Sequence, residues 1–179
     1  HDPERYRLRL NHGWALTNRD QILLNALYVS DDQFMENFFR DEFGVEVRNL
    51  WLPDVFGYSA AIPQMLRLAG VDSFLTQKIS WNQTNIFPFN TFLWQGIDGS
   101  RVFTHFPPEN NYNSCLLPDG LINAQNRYAE RDLLGEFACL FGIGDGGGGP
   151  KEEHVERGRR MQQLNGCPQL RFGKVQECL

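Results

Sequence analysis

Short runs of branched and aromatic residues, separated by polar and glycine-containing segments, predict the strands of this chain. Three such runs are residues 45–52 (VEVRNLWL), 73–77 (SFLTQ) and 101–106 (RVFTHF). Pro53 and Pro107 follow two of these runs, and proline ends a strand because it has no N–H for the hydrogen-bond ladder. Residues 137–143 and 170–172 predict two further strands.

Apolar residues at helical spacing predict helices between these strands. Pro63 suits the first turn of one helix, and Gly44 and Gly70 lie where two helices should stop. The predicted helices cover residues 31–43, 63–70, 121–134 and 151–164. Strands that alternate with helices favour a parallel sheet, so the pattern predicts the α/β class. The pattern predicts no element for the first 30 residues.

Composition narrows the functional classes. The chain has 179 residues, of which 41% are hydrophobic, so it is long enough for one domain with its own core. Its net charge of −5 argues against a nucleic-acid binder. It contains no apolar run of roughly 18 residues, so we expect no membrane span. Residues 1–10 are polar and charged, unlike a signal peptide. The four widely spaced cysteines predict neither a disulfide framework nor a zinc knuckle, and we expect a reduced intracellular protein.

Polar residues that follow the predicted strands are the candidates for chemistry. Asp54 follows the first strand, and Asp145 follows the apolar run at 137–143. The polar segment 105–112 lies at the end of the strand predicted over 101–106. In parallel α/β sheets, functional groups collect at the carboxyl ends of strands. A carboxylate there can attack an anomeric carbon or bind a metal. From the residues alone, a turn or helix-capping role for Asp54 stays equally open.

Four segments together resemble glycoside hydrolase family 38 α-mannosidases, particularly their cytosolic and vacuolar branch. They occur in the order found in that family and are residues 51–64 (WLPDVFGYSAAIPQ), 74–82 (FLTQKISWN), 92–102 (FLWQGIDGSRV) and 141–150 (FGIGDGGGGP). The resemblance implies an incomplete parallel β/α barrel-like catalytic domain over residues 31–179, preceded by a poorly matched segment, 1–30. It also implies a cytoplasmic or vacuolar location.

The resemblance implies a metal-dependent, retaining α-mannosidase that acts on α-linked mannose in oligosaccharides, including glycans derived from N-glycans. Asp54 would be both the nucleophile and a ligand of a divalent metal, zinc or else cobalt. Lys78 stands where related enzymes carry a cation near the site. The substrate-binding candidates are Lys78, Trp94, Tyr112 and Asp145, although core packing remains open for Trp94 and solvent exposure for Lys78. A homo-oligomer of the full-length protein is left open.

The chain departs from the family pattern at the remaining metal ligands and at the general acid. Its four histidines include no His-x-Asp pair, and the family's downstream His would fall after Leu179. The other metal ligands would therefore lie outside this chain, which we expect to be inactive alone. The acid/base position holds Asn110 where the family has Asp, and Glu109 beside it is a substitute acid in principle. The alternative is a non-catalytic carbohydrate-binding remnant of the same fold.

Several other motifs favour structural interpretations. The glycine-rich run 145–150 lacks the Lys-Ser/Thr ending of a phosphate-binding loop, and we interpret it as a loop at the end of the barrel. His105 lies within a predicted strand, which favours a packing role over a ligand role. A polysaccharide deacetylase on a similar barrel would need paired histidines, and the sequence does not contain them.

Overall fold

The computed structural model describes residues 40–44, 46–144 and 148–173. These residues form a mixed α/β fold around a four-stranded sheet. Its elements in chain order are β1 (Asn49–Leu52), α1 (Ile62–Leu68), β2 (Ser73–Thr76), a 3₁₀ helix (Lys78–Trp81), β3 (Thr91–Gln95), β4 (Arg101–His105), α2 (Pro118–Arg127), α3 (Arg131–Leu134) and α4 (Glu152–Met161). The sheet formed by the described residues is open, so the barrel-like closure stays a prediction.

The strand order is β1-β2-β4-β3. The pairs β1–β2 and β2–β4 are parallel, as the sequence predicted, whereas β3 runs antiparallel to β4. The sequence pattern did not predict β3 as a strand. The segment between Gln95 and Arg101 is too short for a parallel crossover. It turns back tightly, with Gly99 at φ 87° and the N–H of Gly96 bonded to the carbonyl of Ser100.

The hydrophobic core lies where one face of the sheet packs against α1. Ile62 and Leu66 lie four residues apart on α1, so a single face of the helix buries both side chains. Phe74 of β2 and Val102 of β4 meet them from the sheet. Trp94 of β3 is partly buried against this cluster. The core therefore anchors the start of the sheet and α1, which immediately follows the segment that carries Asp54.

Most predicted elements are present, with shifted ends. The first strand begins at Asn49 rather than at 45, and α1 carries a proline in its first turn and ends before Gly70, which has φ 75°. The helix predicted over 121–134 is two helices, α2 and α3, because Tyr128 is extended between them. Helix α4 lies within the predicted range. Of the helix predicted over 31–43, only residues 40–43 are described, and these are helical.

Two predicted strands are wrong. Residues 137–143 contain only isolated bridges, from Phe141 to Ser114 and from Ile143 to Gly149, and Gly142 has φ 115°, which interrupts an extended conformation. Residues 170–172 have no regular structure. Instead, the ring of Phe172 packs against that of Phe141.

Within the described residues, no helix is long and apolar enough to cross a membrane.

His105 confirms the predicted packing role. It is buried at the end of β4, where its Nε2 accepts the N–H of Ala138 at 3.1 Å and its Nδ1 contacts the hydroxyl of Thr91 at 2.8 Å. Because Ala138 must be the donor, the neutral ring carries its proton on Nδ1 and donates it to Thr91. Thr91 also bonds the hydroxyl of Tyr128 at 2.9 Å. Burial lowers the pKa of His105 to about 4.

Candidate active site

The carboxyl edge of the parallel strands gathers the candidate residues. Leu52 pairs with Thr76, so Asp54 and Lys78 each lie two residues beyond a matched pair and come side by side. Strand β4 is parallel to β2, so the loop that follows it, residues 106–112, leaves from the same edge. The sequence predicted that Asp54 lies at the carboxyl end of its strand, and the structure confirms this. Asp145 lies outside the described residues.

Asp54 and Lys78 form an ion pair at this edge. The Nζ atom of Lys78 lies 3.0 Å from Oδ1 of Asp54. The lysine side chain is only 3% exposed and the aspartate side chain 22% exposed. Lys78 is therefore not the solvated lysine that the sequence left open. A buried ammonium needs a compensating charge, and Asp54 supplies it.

Aromatic rings enclose the same ammonium group. Its Nζ lies 3.3 Å from the ring centre of Trp81, 4.7 Å from that of Tyr112 and 5.3 Å from that of Phe56. The rings come from three different segments, and Phe56 and Trp81 also contact each other edge to face at 5.7 Å. The negative faces of aromatic rings attract a cation. We call Trp81, Tyr112 and Phe56 the aromatic cage.

A tight turn fixes the segment that carries Asp54. Gly57 has φ 83°, a conformation that favours glycine, so the chain can reverse direction three residues after Asp54. The hydroxyl of Tyr58 donates to the carbonyl of Val55 at 2.5 Å and also bonds the hydroxyl of Thr76 on β2. Burial, reinforced by the charge of Asp54, raises the pKa of Tyr58 to about 12. The phenol therefore stays protonated and ties the turn to the sheet.

A cavity of about 190 Å³ opens beside Lys78. Its lining residues come from the turn after Asp54 and from the 3₁₀ helix, and they are Phe56, Gly57, Tyr58, Lys78, Ile79, Trp81 and Asn82. Pockets for drug-sized ligands measure roughly 300–1,000 Å³. This cavity is smaller than such pockets, and its wall includes the Lys78 side chain and the rings of Phe56, Tyr58 and Trp81 but not Asp54.

The two candidate acid positions differ in their surroundings. The Glu109 carboxylate accepts hydrogen bonds from the Ser114 hydroxyl at 2.9 Å and from the Cys139 thiol at 3.0 Å, so both of its oxygens are engaged. Asn110 is exposed and has φ 57°, a conformation that asparagine tolerates better than most residues. Its N–H closes a turn onto the carbonyl of Pro107 at 3.0 Å. The contacts of Glu109 favour a structural role, while the acid assignment at either residue stays a prediction.

The structure separates the other predicted binding residues. Tyr112 belongs to the aromatic cage, whereas the ring of Trp94 packs against Phe74 at 5.5 Å and Tyr58 at 6.5 Å as part of the core. Phe56 and Tyr58 were not predicted from the sequence to have a role at the site. Their place directly after Asp54, within the segment 51–64 that resembles the family, was the signal that could have found them.

The described residues do not by themselves fit a metal site. Within residues 40–44, 46–144 and 148–173, no group of three or more His, Cys, Asp or Glu side chains could hold a metal ion. Asp54 is the one predicted ligand in this part of the chain, and a cationic side chain already faces its Oδ1. A protein zinc site usually needs about four ligands.

Comparison with known proteins agrees with the sequence resemblance. Residues 13–179 match the glycosyl hydrolases family 38 N-terminal domain, a match that begins inside the unassigned segment 1–30. Alpha-mannosidase G of Dictyostelium discoideum is 44% identical over 145 residues, which cover 81% of this chain and 13% of that protein. The alpha-mannosidase of Saccharomyces cerevisiae is 43% identical, covering 78% of this chain and 13% of that protein. Human alpha-mannosidase 2C1 is 41% identical over 147 residues, covering 81% of this chain and 14% of that protein. The chain thus spans only a small part of the length of these relatives.

Proposed function

The chain belongs to the glycosyl hydrolases family 38 N-terminal domain family, and we propose that it is part of a retaining α-mannosidase with Asp54 as the nucleophile. The observation that supports this proposal is the position of Asp54. It stands at the carboxyl edge of the parallel strands and is paired with Lys78, whose side chain lines a small cavity with aromatic walls. The proposed substrates are oligosaccharides with α-linked mannose, in keeping with the names of the relatives.

In the proposed reaction, a carboxylate oxygen of Asp54 attacks the anomeric carbon while the bond to the leaving oxygen breaks, and the leaving oxygen takes up a proton from the general acid, which the attacking water later restores. The resulting glycosyl-enzyme ester is hydrolysed by water, which restores the carboxylate and retains the configuration. Lys78 restrains the Asp54 carboxylate by holding Oδ1. The rings of Phe56 and Trp81 line the cavity where a sugar ring would bind, and aromatic faces suit the apolar faces of sugars.

The proposal includes a divalent metal, zinc or cobalt, that would hold hydroxyl groups of the reacting mannose. Asp54 would contribute one ligand, and the other ligands would come from outside this chain. Residues 1–179 alone should therefore not turn over an aryl α-mannoside, with or without added zinc or cobalt. Turnover that disappears in the Asp54→Asn variant would show that the chain replaces the missing ligands by other groups.

The nucleophile assignment is tested in a full-length α-mannosidase that carries this segment and supplies the missing ligands. Asp54→Asn should remove nearly all turnover, because it removes the attacking oxyanion and a metal ligand together. Asp132→Asn is the matched control, since the Asp132 side chain is 96% exposed on α3. Equal turnover in the two variants would refute the assignment of Asp54.

The acid position is tested in the same protein with two kinds of substrate. If Asn110 occupies the acid/base site, Asn110→Asp should raise turnover of natural mannosides by roughly 10²-fold or more. It should change turnover much less on substrates whose leaving group needs no proton. If Glu109 is the acid, Glu109→Gln should instead abolish turnover of natural mannosides. If neither variant alters the dependence on the leaving group, the acid lies elsewhere, and Asp145 is the next carboxylate to replace.

A second candidate, a non-catalytic carbohydrate-binding remnant, is favoured by the amide at position 110. It predicts that mannose binds to the chain and that Trp81→Ala weakens this binding, while the full-length protein remains inactive. Turnover by the full-length protein that depends on Asp54 would exclude this candidate.

A further inference from the structure

We infer that Trp81 is a positioning residue that holds the Lys78 ammonium group against Asp54 by a cation–π contact. The inference deepens the proposed function and rests on its assignment of Asp54 as the reacting carboxylate. It concerns how the cation is held there, which neither the resemblance nor the relatives' names specify.

The contact between Trp81 and Lys78 follows from local backbone geometry. Residues Lys78–Trp81 form a single turn of 3₁₀ helix. A 3₁₀ helix has three residues per turn, so side chains three positions apart eclipse each other. Lys78 and Trp81 therefore stand one above the other, with Nζ 3.3 Å from the ring centre.

The turn is held in this form by Gln77 and Ser80. The N–H of Ser80 donates to the carbonyl of Gln77 at 3.1 Å, and the Ser80 hydroxyl donates to the same carbonyl at 2.9 Å. The side-chain amide of Gln77 donates to the Ser80 hydroxyl at 2.7 Å. Gln77 itself is buried at the end of β2. The sheet therefore determines the direction in which the 3₁₀ turn presents its first and last side chains.

The burial of the two side chains indicates that Trp81 serves Lys78 rather than the core. Trp81 is 58% exposed, and its ring does not belong to the hydrophobic cluster beneath the sheet. Lys78, in contrast, is almost completely buried although it carries a charge. The indole ring of Trp81, which is itself partly exposed, lies over the ammonium group and limits the access of water to it. The exclusion of water strengthens both the cation–π contact and the ion pair with Asp54.

Tyr112 and Phe56 complete the aromatic cage but are weaker candidates for this role. Their ring centres lie 4.7 and 5.3 Å from Nζ, farther than that of Trp81. Tyr112 also approaches from the loop after β4, so its position depends on a separate segment. Trp81 lies in the same 3₁₀ turn as Lys78 and needs no other segment to reach it. The closest ring is thus also the one whose position is set most locally.

The test measures the reactivity of the Lys78 amine in the full chain, without substrate or metal. The folded chain is treated with a limiting amount of an amine-acetylating reagent, and the modification of each lysine is followed by mass spectrometry. Exposed Lys151 provides the internal reference. Lys78 should react much more slowly than Lys151 in the unaltered chain. Trp81→Ala should accelerate acetylation of Lys78 by roughly tenfold or more, in keeping with the strength of a desolvated cation–π contact.

Two further substitutions separate a cation–π contact from simple coverage. Trp81→Phe keeps an aromatic face and should retain most of the protection, whereas Trp81→Leu keeps apolar bulk without that face and should lose it. Phe89→Ala is the matched control. Phe89 is 52% exposed, and within the described residues its ring packs against the rings of Phe87 and Phe92. Circular dichroism and the thermal midpoint identify variants whose fold has changed.

The inference is overturned if Trp81→Ala leaves Lys78 protected in a folded chain, or if Trp81→Leu protects it as well as Trp81→Phe does. It is also overturned if Phe89→Ala exposes Lys78 equally, since the protection would then report general packing. If Trp81→Ala does not fold, the comparison of the Phe and Leu variants decides. Because no turnover is measured, a failure here is distinct from a failure of the mannosidase proposal, which concerns the effect of Asp54→Asn on activity.

Discussion

Acid should destabilise this chain through His105, and the structure gives the direction and size of the effect. The perturbation is a fall in pH from above 6.5, the ordinary pKa of histidine, toward about 4, its value in the folded chain. In this range the unfolded chain binds a proton at His105 that the folded chain does not. A second proton on the buried ring would have to sit on Nε2, where the N–H of Ala138 already donates.

The magnitude follows from the linkage between proton binding and folding. One proton bound only by the unfolded state changes the free energy of unfolding by up to about 1.4 kcal/mol per pH unit. Over the interval between the two pKa values, the contribution amounts to about 3 kcal/mol. This stabilisation is fully present above pH 6.5 and is lost progressively as the pH falls toward 4.

The assay is urea unfolding of the chain and of a His105→Gln variant at several pH values across this interval. Glutamine can still donate and accept hydrogen bonds but does not titrate, and all carboxylates are common to the two proteins. The variant should be less stable than the unaltered chain at neutral pH, and the difference should shrink by about 3 kcal/mol toward pH 4. A difference that does not change with pH would refute the conclusion that His105 is buried in its neutral form.

Three further predictions concern the contacts around the site and the sheet. Tyr58→Phe should lower the free energy of unfolding in urea by about 1–3 kcal/mol, because it leaves the buried Thr76 hydroxyl without its partner. The same substitution should cost less in a chain that already carries Thr76→Val. Additive costs of the two substitutions would contradict this coupling. Glu130→Ala should lower the free energy of unfolding by about 2 kcal/mol, because the Glu130 carboxylate accepts hydrogen bonds from two backbone N–H groups at the start of β3. An unchanged midpoint of urea unfolding would argue against these bonds. A thiol reagent should modify exposed Cys115 well before Cys139, since burial and the neighbouring Glu109 carboxylate raise the pKa of the Cys139 thiol; equal rates in the folded chain would contradict this.

The sequence predicted elements well where local signals and the tertiary structure agree. Pro63 and Gly70 bound α1 as expected, because both act through the backbone of their own positions. The run at 137–143 failed as a strand because an apolar segment can also be buried by packing, and Gly142 prevents a continuous extended conformation. Strand β3 was missed although Thr91–Gln95 is a run of branched and aromatic residues with alternating burial, and the turn residues Asp98 and Gly99 follow it, so its signal is present in the local sequence.

The same distinction applies to the candidate site, where some features follow from the local sequence and others depend on the fold. Asp54 was predicted as the nucleophile from its place after a strand and from the resemblance of its segment, and both signals lie within a few residues along the chain. The partner of its carboxylate could not be predicted, since a lysine side chain is usually solvated and is buried only where the fold supplies a partner. Only the parallel register of β1 and β2 brings Lys78 within 3.0 Å of Asp54.

The family of this chain, its candidate nucleophile and the amide at the predicted acid position were all identified from the order of residues along the chain. These properties depend only on residue types and their order along the chain, and the packing of the fold does not alter them. The tertiary structure decided which side chains meet. It buried a charged lysine under Trp81, directed Trp94 into the core, and bound the Glu109 carboxylate to Ser114 and Cys139. Burial and contact depend on segments far apart along the chain, so only the fold could determine them.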